Sequence, residues 1–137
     1  MFRGAPYAAL DDPAQRVFGY LEFRRALIEG EPALFSCLLG ALAQETAAAR
    51  PALREDVWTV LDAHADWLAA DLAAAKAARV PDADWSPKDV ALFTQAALQG
   101  AFILAKAKGD GSVARAMVDQ LARYVATLLG LDAPPNS

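Results

Sequence analysis

Apolar residues recur three and four apart through most of this 137-residue chain. That is the period of a helix buried along one side. Val17, Phe18, Leu21 and Ile28 share such a face near the start, and Phe35, Leu38, Leu39 and Leu42 share one in the next segment. Leu53, Val57, Leu61, His64, Leu68 and Leu72 make one continuous stripe, and Val113, Met117, Leu121, Tyr124 and Leu128 make another. No period-two alternation and no internal repeat interrupts them. The pattern predicts an all-α fold of five helices.

Local punctuation places the boundaries. Asp12 can cap a first helix, with Pro13 in its first turn and Gln15 reaching back; Gly30 ends it. Pro32 opens the second, which stops at Arg50 because a residue before proline avoids the helical region. Pro51 opens the third and longest, fading near Arg79. Ser86-Pro87-Lys88-Asp89 is the clearest start, a cap followed by proline and an acidic residue that can reach back. That fourth helix ends at Gly109. The fifth runs from about Ser112 to Leu129, closed by Gly130. The expected organisation is a lead-in over 1–11, one helical domain over 12–131 and a tail over 132–137.

The fourth helix stands apart. Val90 to Ala105 carries no charge, and Ala96, Ala97, Gly100, Ala101 and Ala105 keep its sides small. Phe93, Ala97, Gly100, Ala101, Leu104 and Ala105 share one broad face, while Val90, Leu98 and Phe102 lie elsewhere. A helix apolar nearly all round is covered on more than one side. A mid-helix glycine costs about 1 kcal/mol against alanine, so Gly100 reads as room for a second backbone. One side packs inside the domain. A second copy of the chain is the natural cover for the other, since twofold dimers are the commonest oligomers. The plainer alternative is a central helix of a monomeric bundle.

Composition narrows the functions. Hydrophobic residues make up 55% and charged residues 22%, the make-up of a folded domain. The net charge of −4 is a poor footprint for nucleic acid, which needs a Lys/Arg surplus. One cysteine, Cys37, excludes an internal disulfide and fits a reducing cytoplasm. MFRGAPYAAL lacks the apolar run of a signal peptide, and the uncharged run, holding Thr94, Gln95 and Gln99, falls short of the roughly 20 apolar residues of a membrane span. One His, one Cys and scattered carboxylates make neither a catalytic triad nor a zinc site, and no glycine-rich phosphate loop occurs. No enzyme, metal or cofactor is expected.

CLLGALAQE (Cys37 to Glu45), a proline-initiated long helix, and ALQGAFILAKAKGD (Ala97 to Asp110) before a closing amphipathic helix resemble the C-terminal region of TetR/AcrR-family transcriptional repressors. The resemblance covers about Asp12 to Gly130. It implies a five-helix domain whose last two helices form a four-helix dimer bundle. On that reading Ala97, Gly100, Ala101, Leu104, Met117, Leu121, Tyr124 and Leu128 meet a partner copy. The family's N-terminal helix-turn-helix has no match here, so this chain alone is not expected to bind DNA.

The resemblance also implies a small, mostly apolar effector held between the middle helices. The matching residues are Phe35, Leu38, Leu42, Trp58, Leu61, His64, Leu68 and Phe93, each of which fits an ordinary core as well. His64 is the most informative, being the one histidine and lying on an apolar stripe, where it needs a hydrogen-bond partner. An effector or Asp71, two turns on, could supply one. Trp58 and Trp67 are nine apart and face opposite ways, with Trp58 nearer the stripe. Gln44 and Glu45 read as a solvated helix end, Asp62, Asp66 and Glu55 as a solvated face, and Cys37 as a small buried hydrophobe. Two other functions fit the same pattern: an interaction module pairing with a full-length regulator, and a small carrier or enzyme centred on His64.

Overall fold

Two capped prolines set helix starts where the sequence placed them. The computed structural model describes residues 4–30, 38–46 and 50–135, with backbone alone at 38, 39 and 46. Its helices are α1 (Pro13–Ala26), α2 (Leu38–Thr46), α3 (Pro51–Arg79), α4 (Pro87–Lys108) and α5 (Ser112–Leu128). Among the described residues there is no strand. The Asp12 carboxylate accepts from the Ala14 N–H at 2.9 Å, and the Ser86 hydroxyl accepts from the Asp89 N–H at 3.2 Å. Each relieves a donor that the first turn leaves without a helical acceptor. Gly109 turns the chain out of α4 in the left-handed region, φ 72°, which its missing Cβ permits. The expected start of the second helix at Pro32 lies outside the described residues, as do Phe35 and Cys37.

The central helix is α4, flanked by α3 and α5, while α1 crosses both α3 and α5 and α2 rests on α3. Tyr20, Leu21 and Ile28 from the first segment meet Leu68 and Leu72 of α3, Leu98 of α4 and Leu129 beyond α5 in a sealed core. Ion pairs fasten the crossings from outside. Arg16 Nε meets Asp71 Oδ1 at 2.7 Å between α1 and α3, and Arg25 Nε meets Asp119 Oδ1 at 2.7 Å between α1 and α5. Lys88 Nζ bridges Asp62 at 2.7 Å and Asp66 at 2.5 Å, fixing the start of α4 on α3. The carboxylates that read as a plain solvated face therefore anchor a helix.

The expected lead-in is part of the core: a 3-10 turn at Pro6–Ala9 buries Tyr7 against Gly19, where any Cβ would collide with the Tyr7 side chain. And α4, extended by its charged ends, is by length and composition long enough to cross a membrane, with a mean hydropathy of 1.4 over its most apolar stretch. Its packing between α3 and α5 accounts for one side of that apolar character.

Candidate functional site

The Tyr20 hydroxyl is the meeting point of three helices. Arg24 Nη1 donates to it at 3.0 Å from the next turn of α1, and Gln95 Nε2 donates at 3.1 Å from α4. His64 Nε2 of α3 lies 3.0 Å away. A phenol oxygen has two lone pairs and one proton. With donors on two sides, the hydroxyl is placed to give its proton to His64 Nε2, a direction that goes with an imidazole carrying its own proton on Nδ1. Burial pushes the imidazole below its ordinary value of 6.5, and the positive charge of Arg24 pushes the same way.

Aromatic rings enclose this cluster. His64 stacks on Trp67 with centroids 5.9 Å apart, Tyr20 meets Trp67 edge-on at 5.9 Å, and Tyr7 closes over both at 6.2 Å. Burial, with Tyr20 adding to it, pushes the Tyr7 phenol up to about 12, so it stays a neutral hydroxyl. On the other side the Arg24 guanidinium lies 5.8 Å from the Phe102 ring centre. Beyond that ring a cleft of about 280 Å³ opens between α2 and α4, bordered by Gln44, Glu45, Gln99 and Lys106. A larger open groove of about 920 Å³ runs between α1 and α5 under the tail, across the Arg25–Asp119 pair.

The expected effector residues do not all converge. His64 and Leu68 sit at the interior, Leu61 and Leu42 are half-buried, and Leu38 is the first residue of α2. Trp58 is 53% exposed on the outer half of α3, and its place is taken by Trp67. Phe93 is 49% exposed and packs its ring on Tyr124 at 5.1 Å, away from the cluster. Asp71 serves Arg16 rather than His64, whose partner is Tyr20. The sequence reading missed Tyr20, Arg24, Gln95 and Trp67. One signal was available: Trp67 follows His64 by three residues and so lies on the same side of the helix.

The expected partner-facing residues divide by direction. Leu104 (51% exposed), Met117 and Tyr124 point outward, joined by Phe93 into one apolar face over α4 and α5, while Ile103, also exposed, borders the α2–α4 cleft. Gly100 is in this face, and a Cβ there would meet none of the described residues within 4 Å. Ala97 and Leu128 are half-buried against the core, whereas Ala101 and Leu121, 2% and 4% exposed, are inside it. The small residues of α4 thus serve two surfaces, with Ala101 and Ala105 turned in and Ala96 and Gly100 turned out.

Among known families, the model described as "Transcriptional regulator LmrA/YxaF-like, C-terminal domain" matches residues 13–120, which spans α1 to most of α5. No curated protein and no solved structure matches the chain significantly.

Proposed function

The chain belongs to the LmrA/YxaF-like C-terminal domains of the TetR transcriptional regulators, and from that premise we propose that it senses a small effector and pairs two copies of itself. The family is regulatory rather than enzymatic. A cytoplasmic, homodimeric protein accords with it. The apolar α4–α5 face carries the proposal. Phe93, Leu104, Met117 and Tyr124 all stand in it with large exposed surfaces. A monomeric domain rarely leaves so continuous an apolar patch uncovered. The same two helices from a second copy would complete a four-helix bundle and bury it. The effector belongs in the α2–α4 cleft, one ring beyond the polar cluster of His64, Tyr20, Arg24 and Gln95, where apolar walls meet a few polar groups.

Native mass spectrometry of the chain tests this. The expected result is a dimer at micromolar concentration that becomes a monomer in Leu104→Glu. A wild-type chain that stays monomeric would overturn the pairing.

A further inference from the structure

Gln99 is a polar side chain fitted into an apolar contact. Its terminal amide lies across Gly40 of α2, so closely that any Cβ at position 40 would occupy the same space. Its Nε2 is sealed from solvent, and among the described residues it has no hydrogen-bond partner. Such a donor has already lost its water and gained nothing in return. Gly40 itself is engaged on its carbonyl, which accepts from Gln44 Nε2 at 3.3 Å. The glycine therefore makes room for an amide that the resting chain leaves unsatisfied.

This amide forms part of the wall of the α2–α4 cleft. Phe102 and Ile103 supply apolar surface beside it, and Glu45 and Lys106 stand at the rim with opposite charges. Opposed rim charges favour neither an anion nor a cation. The volume of about 280 Å³ equals roughly nine water molecules at ~30 Å³ each, enough for one ring and a substituent. Short α2 rests on α3 and reaches α4 chiefly where Gly40 meets Gln99.

We infer that α2 yields where Gly40 meets Gln99 and that the α2–α4 cleft is then a binding site for a neutral, single-ring molecule bearing a carbonyl-type acceptor oxygen, which packs on the exposed Ile103 side chain and takes the Gln99 N–H. The inference rests on the effector-domain reading and names the chemistry of its ligand. Because Phe102 also borders the Arg24–Tyr20 cluster, an occupant here is read directly by the chain's buried polar centre.

Benzamide is the probe, with toluene, benzoate and benzylamine as comparisons. In the nitrogen-15 spectrum of the full chain, the Gln99 side-chain amide pair is identified by its loss in Gln99→Leu. Benzamide should shift that pair saturably, and more tightly than the other three probes. Gln99→Leu and Gln99→Met should each weaken benzamide about tenfold, the worth of one hydrogen bond to a desolvated donor, and leave toluene unchanged. Equal benzamide affinity in the wild type and both variants would overturn the assignment. So would shifts confined to the Tyr20 and His64 signals, which would leave an effector domain with its site elsewhere. A chain that binds none of the probes yet remains dimeric would overturn the cleft alone.

Discussion

At the scale of single residues, His64 in the Tyr20 cluster shows a shifted titration: burial disfavours its charged form, the positive charge of Arg24 adds to this, and the imidazole pKa is lowered. The unfolded chain then takes up a proton that the folded chain refuses. Stability should be flat above about pH 7 and decline as the pH drops through 6.5 toward the lowered folded value. Thermal melts across this range check it, with His64→Gln expected to flatten the slope between pH 7 and 5.5. A slope unchanged in that variant would assign the effect to other groups. Little of this cluster was legible in the sequence. His64 stood out because a lone imidazole interrupts an apolar stripe, but Tyr20 is 44 residues away and Gln95 is 75 residues from Tyr20. No local period reports such a meeting. Trp58 lies nearer the stripe in sequence, yet α1 meets α3 further on, at His64 and Asp71, where Trp67 stands.

At the scale of helices, starts and stops were legible because their causes are local. Asp12 and Ser86 cap turns two and three residues away, and Gly109 acts at its own position. The double character of α4 was also legible, from its lack of charge, yet the division of its faces was not. Ala97, Gly100, Ala101 and Leu104 all read as one outward surface, and only the packing against α3 and α5 separates Ala101 from Gly100. That separation makes a sharp prediction. Since a Cβ at Gly100 meets nothing among the described residues, Gly100→Ala should stabilise the isolated subunit by about 1 kcal/mol through helix propensity. The same methyl should weaken pairing if two α4 helices approach there. Denaturant melts of the variant in a Leu104→Glu background isolate the first effect, and dilution of the variant without that change reads the second. A destabilised monomer would mean that α4 is held by something other than the contacts seen here.

At the scale of the molecule, the domain is a layered set of helices whose apolar surface exceeds what one copy covers. Pairing adds stability by mass action, so the melting temperature should rise with protein concentration in the wild type and be independent of it in Leu104→Glu. A concentration-independent wild type would count against pairing at the α4–α5 face. The global arrangement was more legible than the site, because it needs only stripes and caps, while the site depends on which stripes face each other.

Gln99 and Gly100 are neighbours in sequence, yet one faces the cleft and the other the outer surface of α4. A rigid helix about 33 Å long, at ~1.5 Å per residue, moves both when it moves at all. Any free energy that links them must act equally in both directions. A small molecule that favours one setting of α4 would therefore alter how firmly two copies hold together, and the abundance of the protein would in turn set the dose at which it responds.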